Sequence, residues 1–377
     1  MNMLIAVPKE IRDGEKRVAL VPDIIIKLTR LGLDVVIESG AGLHAQASDA
    51  QYQSAGASIS TGEVLSSADV ILSVTPLTPA QMTKLKKGAI TISFLSPVTA
   101  TDSIDAAASA GVTAFSLEMV PRISRAQSMD ALTSQALCAG YRAAIVGAEL
   151  SPRFFPLLMT AAGTVTPAKV LVLGAGVAGL QAIATARRLG AVVSAYDVRP
   201  ASADEVRSMG ATFIELELES LEGAGGYARE MTDDRAAKQR ELLTPYIAAS
   251  HVLITTAAVP GRTAPRLVTA EMVNAMETGT IIIDLAAETG GNVEGSKPGE
   301  IVITSNGVQI WGGKDVPSQL PFHASSLYSH NVVNLLTLMT KPAADANPAS
   351  FDLDFEDEII NGSALTHAGA KRNAGEK

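Results

Sequence analysis

The stretch AKVLVLGAGVAGLQAIATARRLGAVVSAYD, residues 168–197, decides the fold. Its apolar run KVLVL is too short for a helix of its own and reads as a buried strand. Gly174, Gly176 and Gly179 follow in GxGxxG spacing, then the helical run VAGLQAIATARRLG, then a second strand closed by Asp197. Strand, glycines, helix, strand and a carboxylate some twenty positions on is the order of a dinucleotide-binding βαβ unit. Each glycine has a separate task. Gly174 permits the tight turn, Gly176 lets backbone approach a pyrophosphate, and Gly179 lets the helix lie close on the sheet. The helix opens at Val177 with free N–H groups turned to the phosphates. Asp197 accepts hydrogen bonds from a ribose diol and repels a 2′-phosphate, which favours NAD(H) over NADP(H). Val198 adjoins it, and Arg199 is a cation that pulls the choice the other way.

The alternation of short apolar runs and helical runs extends in both directions. Upstream, MLIAV (3–7), DVVIES (34–39), ADVILSV (68–74), AITISFL (89–95) and VTAFSL (112–117) read as strands, with helices at 22–31 and around 78–86 and 102–110. Downstream, ATFIEL (211–216), HVLITTA (251–257) and TIIIDLA (280–286) do the same. This rhythm predicts an α/β protein of two Rossmann-like, doubly wound parallel-sheet domains. A long helical run at 129–150 leads into the second domain, and SSLYSHNVVNLLTLMT (325–340) leads back. The dinucleotide-binding domain, 131–324, is thus inserted in a first domain made of 1–130 and 325–377. EIVITSNGVQIWG (300–312) predicts a hairpin with a two-residue Asn306-Gly307 turn. Beyond Lys341, FDLDF reads as a short edge strand and AGAKRNAGEK (368–377) as disordered.

Composition excludes several classes. With 377 residues, 47% of them apolar, the chain can bury two cores. A net charge of −9 with no long basic run argues against nucleic acid. The single cysteine, Cys138, rules out an internal disulfide and reads as core, which suits a cytoplasmic setting. No apolar run approaches the ~18 residues of a membrane span. Metal-ligand spacings and a GxSxG nucleophile elbow are missing. His44, His251, His323, His330 and His367 sit in unremarkable contexts, without a visible partner. A hydroxy- or amino-acid dehydrogenase needs a proton carrier beside its substrate. Hydride passed directly between two nicotinamide rings moves no separate proton and needs only positioning.

Four other stretches carry candidate site residues. PRISRAQSMD (121–130) sets two arginines, a glutamine and an aspartate in one polar loop. LEGAGGYAREM (221–231) reads as a lid, hinged at Gly225 and Gly226 and carrying Tyr227. TTAAVPG (255–261), with Ala257, and DLAAETGG (284–291) fall at the carboxyl edge of the sheet, where ligands bind in such folds.

RISRAQSMDAL, AGYRA, TAAGTVTPAKVLVLGAGVAGLQAIATARRLGA, GGYAREM and DLAAETGGN together resemble the NAD(H)-binding alpha subunit, or domain I, of proton-translocating NAD(P) transhydrogenase. The resemblance runs over roughly residues 3 to 365. It implies hydride transfer from NADH to NADP+ held on a beta subunit, coupled to proton movement. It also implies a homodimer, a separate small membrane subunit and a peripheral place on the cytoplasmic face of the membrane. On this resemblance the catalytic loop residues are Arg122, Gln127 and Asp130, with Thr133 and Tyr141 as further contacts. Gln127 offers both an amide donor and an acceptor to a nicotinamide carboxamide or ribose. Arg122 and Asp130 carry opposite charges that can brace the loop. The hairpin at 300–312 is then the arm expected to serve the dimer. The alternative is an alanine dehydrogenase-like enzyme. KEIRDGEKRVAL is similar in that family, and Arg17 falls where its substrate-carboxylate arginine stands. Its catalytic lysine and histidine, however, fall in SVTPLTP, at Thr75, and in SFLSPVT, where neither residue is present.

Overall fold

Short parallel strands made almost wholly of Val, Ile, Leu and Ala must be covered on both faces. Two such sheets are formed. The structure is a computed structural model that describes residues 2–217, 233–258, 262–344 and 348–372. It forms two compact units, Met1–Gln135 with Ser318–Lys377, and Ala136–Pro317. The divisions fall a few residues beyond 130 and before 325. The first turn of the connecting helix is hydrogen-bonded to the first unit, through Ser134 to Asn331 and Gln135 to Arg17.

In the first unit β1 (Leu4–Val7), β2 (Asp34–Glu38), β3 (Ser58–Ser60), β4 (Val70–Leu72), β5 (Ile90–Ser93) and β6 (Thr113–Ser116) form one sheet in the order β3-β2-β1-β4-β5-β6. Every pairing is parallel. The crossovers carry α1 (Pro22–Arg30), α2 (Asp49–Ser54), α3 (Pro79–Met82) and α4 (Thr101–Ser109). Alternation decides the layers. Ile5 and Val7 enter one core, and Ala6 enters the other with Ile71 and Ala114. In α1, Pro22 starts the helix, Asp23 lies in its first turn and Lys27 and Arg30 in its last, which suits the dipole. The sequence reading passes over α2, although Ser48 and Gln51 form a capping box there.

A single helix, α5 (Ala131–Leu150), enters the second unit. There β7 (Leu158–Thr160) and β8 (Gly163–Val165) pair only with each other, while β9 (Lys169–Leu173), β10 (Val192–Tyr196), β11 (Thr212–Phe213), β12 (Val252–Thr255), β13 (Ile281–Asp284), β14 (Ile301–Ile303) and β15 (Gln309–Gly312) form a sheet in the order β11-β10-β9-β12-β13-β15-β14. Helices α6 (Val177–Arg188), α7 (Ser202–Ser208), α8 (Asp233–Ala248) and α9 (Ala270–Asn274) connect them. Val170 and Val172 face one core, Leu171 and Leu173 the other. The 300–312 hairpin is present, with two corrections. Its turn has three residues, because Thr304 N donates to the Val308 carbonyl (2.9 Å) and Gly307, at φ +81°, donates to the Thr304 carbonyl (2.9 Å). Its strand β15 also runs parallel to β13, so the hairpin is integral to this sheet and not a projecting arm.

The chain returns through α10 (Pro321–Leu338) and α11 (Glu358–Ser363). The edge strand in the tail is Ser350–Phe351, paired with Thr340–Lys341, one step earlier than FDLDF suggests. The reading of 368–377 as disordered is corrected for its described part. Thr366–His367 and Ala370–Lys371 form a small hairpin. It is sewn to β6 by Leu365 N to the Ala114 carbonyl (2.8 Å) and by the Thr366 hydroxyl to the Val112 carbonyl (2.8 Å). An otherwise open sheet edge is thereby covered.

Candidate functional site

The glycine loop has the geometry its sequence predicts. Gly174 lies at φ +97°, and a Cβ there would sit 2.7 Å from the Thr256 hydroxyl. A Cβ on Gly179 would sit 1.9 Å from the Gly174 carbonyl oxygen, so the helix packs on the loop with no room for a methyl group. Gly176 differs: a Cβ there would meet nothing within 4 Å. It is the N-cap of α6 and supplies no side-chain cap, so the first-turn N–H groups beside Val177 keep their capacity for an anion. Helix α5 crosses this point closely, since a Cβ on Gly140 would lie 2.0 Å from the Ala178 carbonyl.

Asp197 directly follows β10, with its side chain only 8% exposed. Its carboxylate accepts from Ala175 N (2.7 Å), from Arg199 N (2.9 Å) and, in a fork, from Arg199 Nε (2.9 Å) and Nη2 (3.1 Å). The charge of Arg199, which on sequence alone competes for a 2′-phosphate, is therefore met by Asp197 itself. NADH is expected to bind more tightly than NADPH in isothermal titration; the reverse order would overturn the assignment of Asp197 to the ribose.

Ala257 is held by a residue the sequence reading passes over. Asn292 is fully buried; its amide donates to the carbonyls of Ala257 (2.8 Å) and Pro265 (2.9 Å) and accepts from Ala257 N (3.0 Å). The buried Asp284 accepts from Ala286 N (3.0 Å), Thr255 Oγ1 (3.1 Å) and Val293 N (3.2 Å), and so shapes the loop that presents Asn292. The signal was the Asn that ends DLAAETGGN. Gly226 and Tyr227, with the lid around them, lie outside the described residues.

In the first unit the polar stretch is a 3-10 helix, Ser124–Met129. Three residues per turn put Ala126 and Met129 on one buried face and leave Gln127 exposed. Asp130 ends the turn and caps α5: Thr133 N (2.8 Å) and the Thr133 hydroxyl (2.6 Å) both donate to its carboxylate. Arg122 is exposed, and in the second unit Tyr141 is 42% exposed on α5. Arg125 donates to Asp357 at 2.6 Å. That bond, with the backbone N–H groups of α11, holds Asp357 below the usual carboxylate range. Asn331 and Asn334 of α10 both donate to the Ser128 carbonyl, at 3.0 and 3.1 Å.

The alternative's residues are engaged otherwise. Arg17 is buried and forked onto Glu15 (2.8 and 2.7 Å). Burial by itself would raise the Glu15 carboxyl, but the hydrogen bonds and charge of Arg17, with the Ser318 hydroxyl, bring it down to about 2. The Thr75 hydroxyl donates to Glu10, whose carboxyl burial pushes above its ordinary value. Among the described residues, no three His, Cys, Asp or Glu side chains are placed to hold a metal, and no helix is long and apolar enough to cross a membrane.

Two family models match the chain: "Alanine dehydrogenase/PNT, N-terminal domain" over residues 6–139 and "Alanine dehydrogenase/PNT, C-terminal domain" over 143–374. An NAD(P) transhydrogenase alpha subunit of Rhodospirillum rubrum is 46% identical, over 98% of this chain and 97% of its own length. A crystal structure of transhydrogenase from Sinorhizobium meliloti superposes with a TM-score of 0.85 at 42% identity, covering 98% of each chain. An alanine dehydrogenase of Mycolicibacterium smegmatis is more distant, at 31% identity over 78% of this chain and 76% of its own. The chain therefore belongs to the alanine dehydrogenase/PNT family, among the NAD(P) transhydrogenase alpha subunits.

Proposed function

We propose that this chain is the NAD(H)-binding subunit of a proton-translocating transhydrogenase. The observation that carries the reading is the similarity over 98% of the chain to an NAD(P) transhydrogenase alpha subunit. The chemistry of the glycine loop supports it. Gly176 leaves space for a pyrophosphate and the α6 N-terminus offers donors, while Asp197, whose carboxylate here accepts from Ala175 N and Arg199, meets the ribose diol where the Arg199 fork opens. Bound NADH supplies a hydride that passes to the nicotinamide of NADP+ on a partner beta subunit. The tasks of this chain are binding and aim. Gln127 meets the carboxamide or ribose of the nicotinamide end, and Asp130 fixes the start of α5 behind it. Arg122, Thr133 and Tyr141 complete the contacts, and the resemblance assigns Gly226 and Tyr227 to the same cofactor. Nothing at the ring needs to take up a proton, because a hydride passed ring to ring needs only positioning.

Membrane attachment comes through the beta subunit and a small membrane subunit, on the cytoplasmic face. The subunit is a homodimer. Because the 300–312 hairpin is built into its own sheet, the dimer arm is better sought in β7–β8, where Met159 is 81% exposed and the preceding Leu157 55%. The test is reconstitution. The chain alone is expected to bind NADH and oxidise it poorly; addition of an NADP(H)-binding component should start rapid transfer. Sedimentation should give twice the 39.0 kDa chain mass. Turnover of alanine or pyruvate by the chain alone would favour the dehydrogenase alternative instead.

A further inference from the structure

Among the buried polar groups that make no contact of their own in the proposed hydride transfer, one set forms a continuous chain within the first unit. Arg17, forked onto Glu15, donates through Nη1 to Gln135 Oε1 (2.9 Å). Gln135 Nε2 donates to Ser134 Oγ and to the Ala324 carbonyl (both 3.1 Å). Ser134 Oγ donates to Asn331 Oδ1 (2.7 Å), and Asn331 Nδ2 donates to the Ser128 carbonyl (3.0 Å). One turn along α10, Asn334 Nδ2 reaches the same carbonyl (3.1 Å), while its Oδ1 is held by Lys27 (2.8 Å). A carbonyl oxygen has two lone pairs, and the two amides fill both. The network also fixes which way Asn331 points. Turned over, its oxygen would face the Ser128 oxygen, two acceptors with no proton between them.

The residue so gripped, Ser128, follows Gln127 directly. Ala126 and Met129 bury one face of the 3-10 turn, but apolar contact is non-directional and leaves the turn free to rock about that face. Hydrogen bonds on the Ser128 carbonyl remove that freedom. They come from an 18-residue helix whose Val332, Val333, Leu335 and Leu336 are wholly buried, so the anchor is rigid. Asn331 is itself 7% exposed, and burial of an amide is costly unless each of its groups is satisfied. We propose that Asn331, with Asn334 as its second, is a positioning residue for hydride transfer: it sets the Ser128 carbonyl and through it the reach of Gln127. The inference rests on the transhydrogenase reading above.

The test uses the full chain mixed with an NADP(H)-binding component. Asn331→Asp keeps the size and the acceptor for Ser134 but sets an oxygen against the Ser128 oxygen. Single-turnover transfer should fall at least tenfold, NADH affinity should change less than threefold, and hydrogen exchange should rise at amides 124–129 and not over the sheet. Asn334→Ala, at a half-buried position, should slow transfer a few-fold with the same local rise in exchange. Wild-type transfer rates in a folded Asn331→Asp chain would overturn the proposal. Should that variant fail to fold, unchanged exchange and transfer in Asn334→Ala would overturn it equally. A wild-type chain that transfers no hydride refutes the transhydrogenase reading and this proposal together, whereas fast transfer in wild type and variants alike refutes the proposal alone.

Discussion

Gln127→Asn is expected to slow hydride transfer by well over tenfold while leaving NADH affinity nearly unchanged. The substitution preserves both the amide donor and the amide acceptor, so chemistry is not lost. What changes is reach. Asn is shorter by one C–C bond, about 1.5 Å. Its backbone cannot follow, because Ala126 and Met129 are buried on one side of the turn and the Ser128 carbonyl is gripped by two amides on another. Reaction between two rings demands near-attack geometry, and a misplacement of about 1 Å costs on the order of a hundredfold. On the proposed reading affinity is spared, because the larger share of binding is assigned elsewhere, the pyrophosphate to α6 and the ribose to Asp197. Such a split, rate lost and binding kept, marks an interaction made in the transition state. Stopped-flow transfer beside equilibrium NADH titration measures both halves. An unchanged rate, or a loss confined to affinity, would remove Gln127 from its positioning role.

How much of this was legible in the sequence depends on range. The sheets were legible, since parallel strands buried on both faces are written as local apolar runs, as in KVLVL and TIIID. So were the glycines, whose roles depend on residues within a turn or two. The short edge strand Ser58–Ser60 carries too few apolar residues to be seen, and β7–β8 is exposed for most of its length. At the site, Gln127 and Asp130 came from resemblance, because an exposed glutamine in a polar stretch has no physical signature of its own. Their supports came from the structure alone. Asn331 and Asn334 stand about two hundred positions from Ser128 and look like ordinary polar residues of a helix. Asp357 reads as one acid in an acidic tail until it meets Arg125. The tail itself reads as low in apolar content. Its described residues 365–372 lie against the sheet because Leu365 and Thr366 bond to the backbone around β6, a partner some 250 residues away.

Gly176→Ala and Gly179→Ala should part company, and their contrast tests the cofactor site more sharply than either alone. At Gly179 the new methyl would lie 1.9 Å from the Gly174 oxygen and 2.9 Å from its carbon. Both are backbone atoms of the tight turn, pinned in turn by the Thr256 hydroxyl donating to that oxygen (3.0 Å). Helix and loop must move apart, which for a filled core costs about 3 kcal/mol. For a domain of this size that lowers the unfolding midpoint by roughly 6–12 °C, and the displaced loop should also lose NADH. At Gly176 no heavy atom lies within 4 Å of the added methyl, and φ −76° with ψ −169° is extended backbone that alanine adopts freely. The fold should therefore be untouched, with the midpoint shifted by no more than about 1 °C. Binding is another matter, because the methyl stands in the space through which backbone must approach the pyrophosphate, and NADH affinity should fall at least a hundredfold. Calorimetric unfolding and isothermal titration on both variants separate the two effects. Normal NADH affinity in Gly176→Ala would move the pyrophosphate away from this loop. A normal midpoint in Gly179→Ala would mean that the helix can draw back at little cost, and the close packing of α6 on the turn would then explain nothing about why a glycine stands there.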